Sequence, residues 1–219
     1  MTFTVRMLTM GIASTNCYIL GDEQTGDAVL IDPSDDAPRL LALLKQEHWQ
    51  LRTILATHAH FDHVLALRDL KAATNVPFRM HADDEPLLQA LPVQMQRFTG
   101  HTVPAPPMPD SHLNEGDVIE IGSIRLEVRF TPGHASGHVI FISHGQKIIF
   151  GGDCLFMDSI GRTDLPGGDY DTLMHSIFTK LMTLPDDYVV ASGHGPNTTI
   201  GRERAMNPFL LDWEHEHPH

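Results

Sequence analysis

Apolar positions along the chain fall into short runs, alternating or continuous, broken by Gly, Asp and Pro, and this pattern predicts many short strands with helices between them. Thr2 to Leu8, Asn16 to Leu20 and Ala28 to Ile31 read as strands separated by Gly and Asp turns. Pro38 to Trp49 carries leucines at 40, 41, 43 and 44 on one broad face, the spacing of an amphipathic helix. Asp35 or Asp36 suits its N-cap and Pro38 its first turn. Arg52 to Thr57 (RTILAT) reads as a buried strand, His63 to Ala73 as a helix, Val76 to Met80 as a strand and Asp83 to Leu91 as a short helix. Prolines at 92, 104, 106, 107 and 109 exclude strand and helix interiors, so residues 92–112 are expected to form a long ordered loop or lid.

From Val118 the β pattern returns in VIEI, SIRLEVRF, HVIFIS and KIIF, with Gly122 and Gly145 at turns. Asp171 to Leu184 is helical in pattern, Tyr188 to Ala191 a strand, and Arg202 opens a last short helix. Strands then helices, followed by the same order again, predict two similar halves that each pack a sheet against helices. With the sheets face to face, both are buried. The fold class is α/β.

The 219 residues, 42% hydrophobic and 20% charged, suit one domain over 1–219 that builds its core without staples. No apolar run approaches the ~20 residues of a membrane span, so no membrane partner is expected. Met1 to Arg6 lacks a basic head followed by a long apolar stretch. Cys17 and Cys154 cannot make a disulfide framework, and a cytoplasmic location is the expectation. Fifteen Lys and Arg against 28 Asp and Glu give a net charge of −13, which argues against nucleic acid as a partner. Fifteen histidines are the anomaly.

Four strand-like runs end directly on potential metal ligands. ILAT leads into His58, His60, Asp62 and His63, LEVRFTPG into His134, KIIFGG into Asp153, and YVVASG into His194. Loops leaving strand ends on one sheet edge converge on a common pocket. Imidazole and carboxylate suit Zn, Fe or Mn, and no cysteine pattern competes. His58 and His60, two apart on extended chain, point to one side. Asp62 and His63 sit where a helix starts and aim elsewhere. Two pairs with different aims suggest two adjacent metals.

Taken singly, His134 and His194 are ordinary hydrogen-bonded residues and Asp153 a helix cap. The compact HAHFDH string is not an ordinary solvated turn. His48, His81, His101, His112, His144 and His175 have no partner pattern, and His215, His217 and His219 fall in a polar tail. Cys154 reads as a small buried hydrophobe.

His58-Ala59-His60-Phe61-Asp62-His63, with Thr131-Pro132-Gly133-His134, Gly151-Gly152-Asp153 and Gly193-His194-Gly195, resembles the metallo-β-lactamase superfamily. The strings TPGHASGH, GGDCLF, GRTDLPGGD and GHGPNTTIGRE are most similar to its glyoxalase II branch, in the short bacterial form. The resemblance implies a four-layer αββα sandwich with metals at one edge of the sheets. It implies two divalent metal ions, zinc foremost, with iron or manganese also accommodated. His58, His60 and His134 would bind the first, Asp62, His63 and His194 the second, and Asp153 would bridge them. Typical members of that branch carry a C-terminal helical extension that helps grip glutathione, and with only 25 of the 219 residues following His194 no such domain is expected here. Where longer members carry Lys-x-Tyr, this chain has Arg162-Thr163-Asp164.

The function so implied is hydrolysis of a small-molecule thioester (the hydroxyacylglutathione hydrolase type) by a metal-bound hydroxide, in a monomer or homodimer. Asp62 would orient the nucleophile as its catalytic carboxylate. Arg162 would bind a substrate carboxylate or pair with Asp164 or Asp169. The alternative on the same scaffold is a persulfide dioxygenase with one iron, since that branch also carries Gly-Arg-Thr-Asp. Leu165-Pro166-Gly167-Gly168 and His138 are more hydrolase-like.

Overall fold

The computed structural model describes residues 3–217. Thr2 and His219, read above into the first strand and the tail, lie outside them. The first half runs β1 (Thr4–Met10), β2 (Thr15–Gly21), β3 (Asp27–Ile31), α1 (Ala37–Gln46), β4 (Gln50–Leu55), α2 (Phe61–Val64), α3 (Leu67–Thr74), β5 (Phe78–Met80), α4 (Glu85–Gln89), α5 (Leu91–Thr99) and β6 (Ser111–His112). The second runs β7 (Val118–Ile121), β8 (Ile124–Phe130), β9 (Val139–Ser143), β10 (Ile148–Gly152), β11 (Leu155–Phe156), β12 (Ser159–Ile160), α6 (Tyr170–Ser176), β13 (Val189–Ser192), β14 (Thr198–Thr199), α7 (Ile200–Met206) and α8 (Pro208–Glu216).

Two six-stranded sheets form, in the orders β1-β2-β3-β4-β5-β6 and β14-β13-β10-β9-β8-β7. Side chains alternate across each strand, so one run supplies two layers. Ile19, Leu30, Ile54 and Phe78 face outward, onto Leu40, Leu44, Leu67, Leu70 and Met95 of the helices. Tyr18, Leu20, Val29, Ile31 and Leu55 face inward, onto Leu126, Val128, Phe141 and Phe150 of the other sheet. Ile140, Ile142, Ile149 and Val190 close the far side against Leu173, Ile177, Ile200 and Leu210. This is the expected αββα sandwich, and its middle layer joins the sheets beneath the ligand-bearing strand ends.

Several local expectations need correction. Residues 92–112 are not one loop, because Leu91–Thr99 is the helix α5 with Pro92 in its first turn. Proline lacks only an N–H that a first turn leaves unpaired anyway, so it starts a helix as readily as it breaks one. The irregular stretch is confined to 100–110, and Ser111–His112 pairs with β5 as an edge strand. The helix expected over 83–91 is a 3₁₀ turn at Ala82–Asp84 followed by the short α4. That over 63–73 is divided into α2 and α3. The polar tail, expected from its composition to fray, is ordered as far as His217: α8 includes His215, and His217 stacks on Trp213 with ring centroids 3.9 Å apart. Asp36 is the side-chain N-cap of α1, as its position suggested.

Candidate metal centre

The strand ends converge as their spacing requires. β4 delivers His58 and His60, the first turn of α2 presents Asp62 and His63, and turns after β8, β10 and β13 present His134, Asp153 and His194. The two sheets are tied at this edge by Asn16 N–H to the Gly193 carbonyl (2.7 Å) and Tyr18 O–H to the Ser192 carbonyl (2.7 Å). His58, His60 and His134 form one donor group with its atoms within 4.8 Å of one another, and Asp62, His63 and His194 form another. A third group, His58, His63 and Asp153, links them. Asp153 Oδ2 lies 3.5 Å from His134 Nε2 and 3.3 Å from His194 Nε2, and its Oδ1 lies 3.3 Å from His63 Nε2. Gly193 is required beside this carboxylate, because a Cβ there would strike Asp153 Oδ1.

Hydrogen bonds behind the rings set which nitrogen faces the site. His134 Nδ1 lies 2.8 Å from the Arg162 carbonyl and His63 Nδ1 lies 3.0 Å from Asp32 Oδ2; both acceptors lack protons, so both rings donate. Thr57 Oγ1 donates to Asp32 Oδ2 (2.8 Å) and therefore accepts from His58 Nδ1 (3.0 Å). Bare Nε2 lone pairs of His58 and His134 then face each other at 3.2 Å, with His60 Nδ1 2.9 Å from His134 Nε2. His63 Nε2 and Asp153 Oδ1 are buried without a hydrogen bond. Converging lone pairs and orphaned buried polar atoms are costly unless a cation satisfies them. The donor set fits divalent metal.

The electrostatics divide the cluster. Burial, aided by like charge on neighbouring rings, lowers His58 well below its ordinary value and His60 to about 3, and burial also lowers His134. These are neutral imidazoles, the form that ligates metal. Burial works against a charge on His63, but Asp153, Asp62 and Asp32 outweigh it and raise its pKa well above 6.5. For His194 burial is likewise outweighed, by hydrogen bonds to Asp153 and Asp62, and the pKa rises to about 10. Burial would raise both carboxyls, yet His63 and His194 hold Asp62 and Asp153 below the usual carboxylate range. The Asp62 and Asp153 carboxylates thus favour positive charge on this side of the cluster.

All seven expected ligands come together. The Arg162 side chain does not join them; its guanidinium forks onto Asp164 at 2.7 and 2.8 Å, and only its carbonyl reaches the cluster, through His134. Cys154 is buried in the second-sheet core, as a small hydrophobe.

Sequence reasoning missed the supporting roles of Asp32 and Asp84, and it noted His138 without a partner for it. Asp32 follows β3, a fifth strand ending on a carboxylate at the same edge, and that was the available signal. His138 Nε2 accepts the Asp153 N–H (3.1 Å), and its other nitrogen lies 2.8 Å from Thr131 Oγ1. Asp84, fully buried, accepts the N–H groups of Ala59 (2.8 Å) and Gly137 (2.6 Å) and so joins two ligand loops. Nothing in local sequence distinguished Asp84 from its neighbour Asp83.

Comparison with known proteins agrees with this geometry. Residues 10–194 match the family model described as the metallo-beta-lactamase superfamily. The chain is 42% identical over 197 residues to a hydroxyacylglutathione hydrolase of Haemophilus influenzae, covering 89% of this chain and 92% of that one. Among solved structures, the B3 metallo-beta-lactamase BLEG-1 superposes with a TM-score of 0.89 at 38% identity, covering 94% of this chain and 99% of the other. TTHA1623, solved in a di-iron-bound form, gives 0.85 at 39% identity, covering 94% and 100%. ETHE1 from Myxococcus xanthus gives 0.79 at 27% identity, covering 98% and 91%. From its ligand-bearing strand ends to its four layers, this chain belongs to the metallo-β-lactamase superfamily.

Proposed function

We propose that this protein is a metal-dependent thioester hydrolase of the glyoxalase II type. The observation that carries the reading is the double donor set: His58, His60 and His134 would hold one divalent cation, Asp62, His63 and His194 a second, with Asp153 shared. The relative named a hydroxyacylglutathione hydrolase supports the substrate class. Zinc is the first candidate, and the donor types also accept iron or manganese. Such cations supply Lewis acidity and bring the pKa of water toward neutrality.

The chain's own residues do the positioning. Thr15 Oγ1 donates to Asp62 Oδ2 at 2.7 Å, fixing the carboxylate that would orient the attacking water. Asp32 and Arg162 O fix the imidazole tautomers as described. A departing thiolate has a conjugate-acid pKa of about 8.5, so it leaves with little help from a general acid, unlike an amide nitrogen. This suits a site whose first three imidazoles are neutral. Arg162 enters as a substrate contact that must exchange Asp164 for a substrate carboxylate, so Arg162→Met is expected to raise KM modestly with little change in kcat.

The structural likeness to ETHE1 keeps the one-iron dioxygenase as the second reading. Metal analysis, thiol release from acyl thioesters and oxygen uptake, measured on one preparation, separate the two. Two metals per chain with thiol release and no oxygen uptake is the expected result. Saturation at one iron that survives Asp62→Ala, with oxygen consumption, overturns the proposal.

A further inference from the structure

Beside the metal cluster a cleft of about 380 Å³ opens, and His60 is the one donor residue in its lining. Its walls are apolar: Leu87, Val93 and Phe98 on one side, Leu165 and Pro166 on the other. Val93 is 69% and Phe98 44% exposed, so both are open to a ligand entering from solvent. The helical wall is fixed to the metal loop. Gln94, buried in α5, accepts the Phe61 N–H (2.9 Å) and donates to the Ala59 carbonyl (3.2 Å), and Phe61 stacks on Phe98 with centroids 5.6 Å apart. The cleft is therefore held in register with the donors.

One cation borders it. Arg97 lies one helical turn after Val93 on α5, its guanidinium 5.7 Å from the Phe98 ring centre, and it makes no ion pair among the described residues. Most other Arg and Lys side chains near carboxylates are paired, Arg162 with Asp164 among them, and Arg162 lies outside this lining. Two carboxylates also border the cleft. Asp84 is occupied by two backbone N–H groups, and Asp83 is 61% exposed and 3.8 Å from His81 Nδ1. A free guanidinium beside an apolar wall is a local exception on a protein of net charge −13, and it is suited to a ligand carboxylate carried on an apolar body.

We propose that this cleft is the specificity pocket, and that it takes the larger arm of the thioester, an arm with an apolar body and a carboxylate held by Arg97. The assignment rests on the thioesterase reading. The volume falls in the range that encloses a drug-sized group, well beyond what a small hydroxyacyl group needs. The arm can belong to the acyl or the thiol side of the ester, and the test distinguishes these.

Inert thioethers, with a methylene in place of the thioester carbonyl, provide a readout independent of turnover. They carry alkyl arms of increasing length on one or the other side of sulfur, ended by carboxylate or by neutral carboxamide, and binding is measured by titration calorimetry. Affinity should rise with arm length on one side of sulfur, and that side names the arm. The carboxylate-ended compound should bind about tenfold more tightly than the carboxamide, the size of one charge-assisted contact. Arg97→Met should bring that ratio near one, and Val93→Trp, which fills the cleft from an exposed position, should abolish the length dependence. No length dependence on either side, or a carboxylate preference absent from the wild type or surviving Arg97→Met, overturns the proposal. Binding as expected without thioester cleavage keeps the pocket assignment and overturns the thioesterase reading instead.

Discussion

Asp32 accepts the Nδ1–H of His63 at 3.0 Å, with both side chains buried, and so fixes the ring with Nε2 toward the donor cluster. The same carboxylate takes the Thr57 N–H (2.7 Å) and, through Thr57 Oγ1, orients His58. One residue after β3 thus sets a ligand in each donor group. Partners of this kind are worth about 10–100-fold in metal affinity. Asp32→Asn, which keeps the volume but presents an amide to one of three donors, is expected to weaken metal binding by about that factor. Competition against a chromophoric chelator measures it. Unchanged affinity in a folded variant would reduce Asp32 to a turn residue.

Asp153 stands between the two groups, with Oδ2 facing His134 and His194 and Oδ1 facing His63. Asp153→Ala is expected to lose at least one metal per chain and nearly all turnover. Elemental analysis after dialysis against a weak chelator is the measurement. Full retention of both metals and activity would leave Asp153 no bridging role.

The layers of this fold were legible because alternation in β2, β3 and β4 splits each strand into a helix-facing and a sheet-facing set, as Ile19 against Tyr18 and Leu20 shows. The donor residues were legible for a related reason: strand ends on one edge converge whatever lies between them. Pro92 misled because proline marks helix starts as well as breaks, and local sequence does not say which. Asp84 and Gln94 were illegible because their partners, Gly137 and the Ala59–Phe61 backbone, are distant in sequence and met only on folding. The charge at the cleft was illegible too, since the pairing of Arg162 with Asp164 and the isolation of Arg97 are facts of three-dimensional arrangement.

Phe150 fills the layer between the sheets, its ring edge-on to Tyr18 at 5.3 Å, just before the Gly151-Gly152-Asp153 turn. Phe150→Ala leaves a cavity in fully buried surroundings and should cost about 3–5 kcal/mol of stability. Because the turn after β10 carries Asp153, metal affinity should fall with it. Urea unfolding of the metal-free protein isolates the first effect, and a loss below about 1 kcal/mol would show that the layer repacks.

Asp22 joins the two sheets at a point remote from the metals. Gly122, at φ +57, turns the β7–β8 connection so that the Ser123 N–H reaches Asp22 Oδ2 at 2.6 Å. Gln24 and Thr25 donate to its other oxygen at 2.8 and 3.2 Å. These backbone donors, Ser123 foremost, hold the carboxyl at about 2 against an ordinary 3.8. A carboxyl depressed in the folded state contributes stability that is present above the unfolded pKa and lost as pH falls through the folded one. The window is therefore from 3.8 down to about 2. Asp22→Asn, with no charge to lose, should be less stable than the wild type at neutral pH, and the gap should narrow through that window. Urea midpoints of the two metal-free proteins at matched pH cancel every titration they share. A gap that stays constant from neutrality to the acid end would mean that the three donors recognise the side chain's shape and not its charge.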